Sequence, residues 1–195
     1  KNLKLEGFNN FSNSKIKNVG DIMYEGAIYF SEQSKKPAAL KNDKLKNYVL
    51  ATFHRAETTD RVENLESIIS ALNKINETSQ VIVPIHPRTR AILNEKNLSV
   101  TFQMINPVGY LEMLWLIQNC SLVITDSGGL QKEAYFFEKR CLTIRNETEW
   151  TELLKNNNNI LVGYELSKIL LEFNTPRSFK SSGKLFGSGN TSELI

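Results

Sequence analysis

The sequence predicts an α/β fold in which helices cover both faces of a Rossmann-like parallel sheet. Short apolar runs alternate with segments of helical periodicity between residues 48 and 173, and polar residues cluster directly after the apolar runs. Strands that alternate with helices pair in parallel through βαβ units, and ligands of such sheets bind beyond the carboxyl ends of the strands. The chain of 195 residues is long enough to bury a core, and its composition, 41% hydrophobic and 23% charged, is typical of a globular protein.

Buried strands are expected where apolar and β-branched residues form short runs. The predicted strands are Tyr48–Phe53, Val81–Ile85, Val100–Ile105, Leu122–Thr125, Cys141–Ile144 and Ile160–Val162. Ile16–Val19 is a further, shorter candidate.

Helices are expected where apolar residues recur every three or four positions. Asp21 is positioned to cap a helix from Ile22 to about Gln33, and Asp60 with Glu63 forms a capping-box sequence before another. That helix carries its apolar face at Val62, Leu65, Ile68, Ile69, Leu72 and Ile75. The other predicted helices are Arg88–Lys96, Tyr110–Gln118, Leu130–Phe137, Glu149–Lys155 and Leu166–Phe173.

Composition argues against several classes of function. The net charge is only +3 and the basic residues are scattered, so neither nucleic acid nor a membrane surface is an expected partner. Cys120 and Cys141 lie in or beside apolar runs and are expected to be reduced core thiols. With two distant histidines and no clustered cysteines, no metal site is expected. The sequence has no apolar stretch of about 18 residues, and a cytoplasmic location is expected.

The most informative segment runs from Leu122 to Ala134 and reads as a strand, a glycine turn and a helix. In such a turn the backbone N–H groups and the positive end of the helix dipole favour an anion, and Ser127 adds a hydroxyl donor. Gly128 and Gly129 lack the Cβ atoms that would hold a phosphate away from the backbone. Glu133 lies one helical turn further on, where a carboxylate suits a sugar hydroxyl. The alternative is that the glycines only allow close packing of strand and helix.

Residues that could contribute to a ligand site also follow the other predicted strands. These residues are His54, Arg55 and Glu57 after the first strand, His86 after the second, Asn106 and Pro107 after the third, and Arg145 with Glu149 after the fifth. Because parallel strands bring their carboxyl ends to one edge, these groups should gather beside the glycine turn. The cluster favours a site for a phosphorylated ligand, although a lone histidine at a strand end is often only a loop residue.

Five segments together resemble one family, the non-hydrolysing UDP-N-acetylglucosamine 2-epimerases. The segments are His54-Arg55-Ala56-Glu57, Ile85-His86-Pro87, Asn106-Pro107 before Tyr110, Thr125-Asp126-Ser127-Gly128-Gly129-Leu130-Gln131-Lys132-Glu133-Ala134 and Arg145-Asn146-Glu147-Thr148-Glu149-Trp150. The resemblance covers nearly the whole chain and points to the second, UDP-binding half of a GT-B-like two-domain architecture. It implies that residues 1–40 are the end of a first domain and a crossover, 41–175 the UDP-binding domain and 176–195 a C-terminal tail.

The resemblance also implies roles for individual residues. Ser127, Gly128 and Gly129 would bind the UDP diphosphate, and Glu133 would bind the ribose hydroxyls. His54 would sit beside the diphosphate and assist the reaction, while Pro107 and Met113 belong to the segment that would hold the uracil. The remaining residues of the set would line the cleft or face a regulatory UDP-sugar site: Arg55, Glu57, His86 and Arg145.

The implied reaction eliminates UDP from a UDP-2-acetamido sugar and adds it back with inversion at C2, a step in making precursors of cell-surface polysaccharides. It requires no cofactor. The missing N-terminal domain would supply the catalytic carboxylates, so this half alone is expected to bind UDP weakly and to be inactive, and the full protein is expected to be a homodimer. Ala56 departs from the His-Arg-Arg-Glu of regulated members, and Thr148-Glu149-Trp150 resembles relatives that act on UDP-2,3-diacetamido sugars.

Two other functions fit part of the pattern. A GT-B-type UDP-sugar glycosyltransferase would also carry a glycine turn and a ribose-binding Glu in its donor domain, but the His54 and His86 segments argue against it. A non-enzymatic nucleotide-sensing module would keep the Ser127 turn and have no use for His54.

Overall fold

The computed structural model describes residues 2–13, 15–41, 45, 47–181, 183 and 185–195. Within this part of the chain, six parallel strands form one sheet in the order β3-β2-β1-β4-β5-β6. The strands are β1 (Tyr48–Thr52), β2 (Val81–Pro84), β3 (Gln103–Ile105), β4 (Cys120–Thr125), β5 (Arg140–Thr143) and β6 (Asn159–Leu161). The predicted fold class and the six main strands are confirmed, whereas residues 16–19 form no strand and that prediction is wrong.

Helices fill the connections between the strands. They are α1 (Asn2–Leu5), α2 (Ile22–Ser31), α3 (Ala56–Thr59), α4 (Val62–Asn76), α5 (Pro87–Glu95), α6 (Tyr110–Asn119), α7 (Gly128–Phe136), α8 (Leu166–Asn174) and α9 (Thr191–Leu194). Short 3₁₀ helices lie at Phe8–Asn10 and Thr151–Asn157. Every described helix is too short or too polar to span a bilayer.

Two helix predictions are wrong in detail. The capping box at Asp60 does not form, because α3 precedes it and Arg61, whose side chain makes no cap, is the N-cap residue of α4. The predicted helix at 149–155 is a 3₁₀ helix that begins at Thr151 and is interrupted at Lys155 and Asn156, where the backbone leaves the helical conformation. Asp21, by contrast, caps α2 as predicted, since its side chain accepts a hydrogen bond from Met23 N–H.

Apolar side chains cover both faces of the sheet. One cluster packs the buried face of α4, with Leu93 and Ile169, against the strands. The other lies beneath α6 and α7 and includes Leu116, Leu130 and both cysteines, which are free and buried as predicted. This double layer fixes the strand ends and therefore the loops that follow them.

The strand order reverses between β1 and β4. The chain leaves β1 toward β2 and β3, then crosses back to place β4 on the other side of β1. Thr52 and Thr125 are the last residues of these two strands, and their hydroxyl groups hydrogen-bond each other at 2.7 Å. Beyond this pair the two following loops diverge, and such a switch point is where open α/β sheets bind their ligands.

The segments that flank the sheet domain in sequence pack together against α7. Lys132 of α7 is almost fully buried and pairs with Asp21, while its ammonium group lies 4.4 Å from the centre of the Trp150 ring. Near this pair, Asp21 N–H donates a hydrogen bond to the Phe186 carbonyl at 3.0 Å. Residues 42–44 and 46, at the start of the predicted UDP-binding domain, and 182 and 184 of the predicted tail lie outside the described residues.

Candidate functional site

A pocket opens at the switch point, beyond the carboxyl ends of β1, β2, β3 and β4. Its wall is formed by Thr52, Phe53, His54, Pro84, His86, Pro107, Val108, Met113, Ser127, Gly129, Leu130 and Glu133. Seven of the residues singled out from the sequence therefore share one concave surface. No group of three or more metal-ligating side chains gathers in the described part of the chain.

The glycine turn forms one wall of the pocket. Ser127 is the N-cap residue of α7, and its Oγ accepts a hydrogen bond from Leu130 N–H at 3.4 Å. Gly128 N–H and Gly129 N–H have no hydrogen-bond partner within the described residues. These two donors and the positive end of the α7 dipole make the turn suited to an anion.

The two glycines face different surroundings. A Cβ on Gly129 would meet nothing nearer than Met23 Cε at 3.9 Å, so this residue borders open space. A Cβ on Gly128 would collide with the carboxylate of Glu149. Gly128 therefore allows the β5–β6 loop to pack on α7, and Gly129 is the glycine that faces the pocket.

His54 faces the pocket from the loop after β1. This loop is fastened by Asp126, which is fully buried and whose Oδ2 accepts hydrogen bonds from His54 N–H and Arg55 N–H, each at 2.9 Å. Oδ1 of the same carboxylate lies 3.5 Å from Nδ1 of His54. His54 side-chain exposure is 51%, so the imidazole is accessible to a ligand in the pocket.

Glu133 lies deeper along α7 and is only 9% exposed. Burial raises the pKa of Glu133 above its usual range, and this effect is opposed by the Tyr110 hydroxyl and by the charge of Lys132. Burial together with Glu133 raises the pKa of Tyr110 to about 12, so the phenol keeps its proton and can donate to the carboxylate. The pocket thus contains a shielded acceptor one turn beyond its donor-rich end.

The remaining wall is mostly apolar. His86 is the N-cap residue of α5, and its Nδ1 accepts a hydrogen bond from Arg88 N–H at 3.2 Å. Pro107 and Val108 precede α6, and Met113 belongs to its first turn. These groups offer a flat ring a surface for apolar contact.

Arg55, Glu57 and Arg145 do not line this pocket. Arg145 is 7% exposed and its Nη1 pairs with Oε2 of Glu149 at 2.8 Å. That ion pair lies on the β5–β6 loop, which is held on α7 because Gln131 accepts a hydrogen bond from the Thr148 hydroxyl at 2.6 Å. Arg145 lines a separate depression with Lys168 and neighbouring residues instead.

Sequence reasoning did not assign individual roles to Asp126, Tyr110 and Glu149. Asp126 was part of the glycine-turn motif, but its partners are 71 and 72 residues away in the chain. A polar residue that directly follows a buried strand end is the signal that singles it out, as it did for His54 and His86. Tyr110 carried no such signal, and Glu149 was grouped only with the polar residues that follow the fifth strand, because the contacts of both residues with α7 depend on packing between helices and loops.

The strand order and the pocket define an α/β ligand-binding domain with its site at the sheet's switch point. The family model described as UDP-N-acetylglucosamine 2-epimerase matches residues 1–195. The chain therefore belongs to the UDP-N-acetylglucosamine 2-epimerase family.

Several known proteins are similar to this chain over its whole length. It is 44% identical to the UDP-2,3-diacetamido-2,3-dideoxy-D-glucuronate 2-epimerase of Pseudomonas aeruginosa, covering 100% of this chain and 55% of that protein. It is 45% identical to a UDP-N-acetylglucosamine 2-epimerase homolog of Methanococcus maripaludis, again over 100% of this chain and 56% of the relative. The chain spans about half the length of the curated relatives it matches.

A solved structure shares the fold. The Methanocaldococcus jannaschii UDP-GlcNAc 2-epimerase, crystallised in complex with UDP-GlcNAc and UDP, aligns with a TM-score of 0.79 and 34% identity. The alignment covers 96% of this chain and 55% of that one. The predicted GT-B-like, Rossmann-like fold is thus confirmed by a family member as well as by the strand order.

Proposed function

We propose that this chain is the UDP-binding half of a UDP-sugar 2-epimerase. The observation that carries the proposal is the meeting of three groups in one pocket: the α7 N-terminus, the imidazole of His54 and the buried carboxylate of Glu133. A nucleoside diphosphate presents matching groups in the same order, since its phosphates precede its ribose hydroxyls and its base. The family membership supports this reading, and the glycosyltransferase alternative is not favoured.

The proposed binding mode follows the chemistry of the pocket. The diphosphate lies at Ser127 and Gly129, where N–H groups and the helix dipole favour negative charge. Glu133 accepts hydrogen bonds from the ribose hydroxyls, and the uracil lies against Pro107 and Met113. Gly128 contributes through its N–H, since the place of its missing Cβ is taken by Glu149.

The proposed reaction has two steps. A base removes the C2 proton of the sugar while the C1–O bond breaks, which releases UDP and leaves a 2-acetamidoglucal. UDP then adds back to C1 as a proton is delivered to the opposite face of C2. The α7 N–H groups stabilise the charge that develops on the departing diphosphate, and His54 beside them, once its pocket-facing nitrogen has taken up a proton from solvent, donates that proton to it. The carboxylates that act at C2 would come from a further domain, which in the proposed architecture closes over this pocket.

The sugar is proposed to be a UDP-2,3-diacetamido uronate, with UDP-N-acetylglucosamine as the second candidate. The first choice is supported by the Thr148-Glu149-Trp150 segment together with 44% identity over the whole chain to a UDP-2,3-diacetamido-2,3-dideoxy-D-glucuronate 2-epimerase. The 45% identity to a UDP-N-acetylglucosamine 2-epimerase homolog supports the second. Assays of the complete polypeptide with both UDP-sugars decide between them. Turnover of UDP-N-acetylglucosamine alone would contradict the first choice.

Calorimetric titration of this chain with UDP, UDP-GlcNAc and uridine tests the binding site. We expect this chain to bind UDP with much higher affinity than uridine. Glu133→Ala should weaken UDP binding by about 1–3 kcal/mol, because charge-assisted hydrogen bonds are lost. Glu66→Ala is the matched control, because Glu66 is an exposed carboxylate of α4 and does not line the pocket. Equal affinity for UDP and uridine would contradict the diphosphate site, and equal losses in the two variants would contradict the ribose assignment.

A further inference from the structure

The carboxylate of Asp126 makes two different kinds of contact. Its Oδ2 accepts both backbone hydrogen bonds from the loop after β1, so this oxygen is fully used as a structural anchor. Its Oδ1 is buried and has no hydrogen-bond partner among the described residues. A buried carboxylate oxygen that accepts no hydrogen bond is unfavourable, so a nearby group that can donate one to Oδ1 would stabilise the folded protein.

That group is the imidazole of His54. Its Nδ1 lies 3.5 Å from Oδ1, slightly beyond hydrogen-bond length, and such contacts often tighten when a ligand closes a site. A hydrogen on Nδ1 would satisfy Oδ1 and would leave Nε2 as the acceptor nitrogen of the neutral ring. Because His54 lines the pocket and its Nδ1 is turned toward Asp126, Nε2 is the nitrogen available to a ligand.

We infer that Asp126 is a positioning residue that holds His54 in the Nδ1–H tautomer and presents Nε2 to the pocket. The inference rests on the proposed function for its catalytic meaning: Nε2 takes up a proton from solvent and passes it to the departing diphosphate, and the charge of Asp126 stabilises the imidazolium formed in between. Asp126 contacts the substrate at no point in this scheme. It acts through the imidazole and through the loop that carries it.

A purely structural role is the competing explanation, in which Asp126 only anchors the backbone. Asp126→Asn separates the two roles. The amide oxygen of Asn can replace Oδ2 and keep both backbone hydrogen bonds, which places the amide NH₂ against Nδ1 of His54. The NH₂ group donates a hydrogen bond and therefore favours an unprotonated Nδ1, with the hydrogen moved to Nε2.

The chain contains a built-in reference for this measurement. Of its two histidines, His86 already accepts a hydrogen bond at Nδ1, so its neutral ring carries the hydrogen on Nε2. Long-range ¹H–¹⁵N spectra of this chain, recorded at about pH 8 where imidazoles are ordinarily neutral, report both tautomers at once. The His86→Gln variant assigns the two ring patterns.

We expect opposite tautomers in the unmodified chain, Nδ1–H for His54 and Nε2–H for His86. Asp126→Asn is expected to convert His54 to Nε2–H, to leave His86 unchanged and to keep UDP affinity within about threefold. An Nε2–H tautomer of His54 in the unmodified chain overturns the inference, and so does a His54 tautomer that persists in the variant. If the variant does not fold, the spectrum of the unmodified chain still decides the question.

The complete polypeptide supplies the functional readout. Asp126→Asn is expected to lower kcat by about 100-fold, the scale of general acid–base catalysis, with KM changed only severalfold. Unchanged kcat beside a switched tautomer would refute the positioning role. Absence of UDP binding in the unmodified chain would instead contradict the proposed function, and it leaves the tautomer result as a separate outcome.

Discussion

The carboxylate of Glu149 occupies the space that a Cβ atom on Gly128 would require. Its Oε2 is held there by Nη1 of Arg145 at 2.8 Å. Gly128 is thus needed for packing within the protein, while its neighbour Gly129 borders the pocket.

Alanine substitutions at the two glycines should therefore have opposite effects. Gly129→Ala is expected to preserve or raise stability, by up to about 1 kcal/mol, because alanine favours a helix and its Cβ meets no close neighbour. The same Cβ should weaken UDP binding by projecting into the phosphate site. Urea unfolding and calorimetric titration measure the two effects on one preparation.

Gly128→Ala is expected to displace the Glu149 carboxylate and break its ion pair with Arg145. Stability should fall, and UDP affinity should change less than in Gly129→Ala. A larger loss of UDP affinity in Gly128→Ala than in Gly129→Ala would contradict the assignment of the two glycines.

Glu133 on α7 and Glu149 next to it should affect the pH dependence of stability with opposite signs. Burial makes the ionised form of Glu133 less favourable in the folded protein and so raises its pKa. The free energy of unfolding therefore falls as pH rises from the pKa of Glu133 in the unfolded chain to its higher pKa in the folded protein. Glu133→Gln removes this effect and should gain stability relative to the unmodified chain as pH rises through that window. Urea unfolding across the ordinary Glu value of 4.5 checks the trend.

Glu149 is the matched carboxylate. A hydrogen bond from its own backbone N–H, followed by the contact with Arg145, lowers the pKa of Glu149 despite partial burial. Its contribution to stability is present above the unfolded pKa and is lost as pH falls through the folded pKa. Glu149→Gln should therefore lose stability at neutral pH and little in acid. The same sign of pH dependence in both variants would contradict the opposite pKa shifts of the two carboxylates.

Removing the buried charge of Lys132 should destabilise the protein. Lys132→Met keeps a flexible side chain over the Trp150 ring but leaves Asp21 without its partner, and we expect a loss of about 3 kcal/mol. Asp21→Asn keeps the cap on α2 while removing the negative charge. In a double-mutant cycle by urea unfolding, the combined variant should be less destabilised than the sum of the two single variants. Additive losses would show that the pair does not interact.

Gly20 should be far less tolerant of substitution than Gly26. Gly20 adopts a φ of +93°, and an added Cβ would lie 2.8 Å from the Thr191 hydroxyl and 3.1 Å from the Phe186 carbonyl. Gly20→Ala is expected to cost at least about 1–2 kcal/mol of stability. Gly26→Ala within α2 meets nothing within 4 Å and should stabilise the helix by about 0.5–1 kcal/mol. Thermal unfolding of both variants compares them directly, and an unchanged stability of Gly20→Ala would contradict the importance of the close contact between Gly20 and the Phe186 and Thr191 region.

The spacing of apolar residues correctly predicted the features of the fold that depend on neighbouring residues in the sequence. The apolar spacing of α4 correctly gave Leu65, Ile68, Ile69, Leu72 and Ile75 as buried. The strand ends placed His54, His86 and Ser127 at one edge, because parallel strands must end together.

The failures depend on contacts between residues that are distant in the sequence. The loop after β1 is fixed by Asp126 from the end of β4, so α3 forms where a single capping box was expected at Asp60. The segment after β5 is shaped by Thr148, which hydrogen-bonds both Gln131 and Trp150 N–H and delays the start of its helix to Thr151. Neither contact can be predicted from the spacing of apolar residues along the sequence.

The pocket at the ends of β1 and β4 makes ligand binding detectable by thermal unfolding. Its wall draws on residues from Thr52 to Glu133 that come together only when the central strands are paired and their helices are packed. Any molecule that fills it binds the native state and not the unfolded chain, so occupancy must appear as added resistance to heat. At a ligand concentration of about 100 times Kd the gain is about 2.7 kcal/mol, which for a domain of this size corresponds to a rise in Tm of roughly 5–10 °C. Melting curves with a panel of nucleotides can thus rank ligands for this pocket without any assay of catalysis.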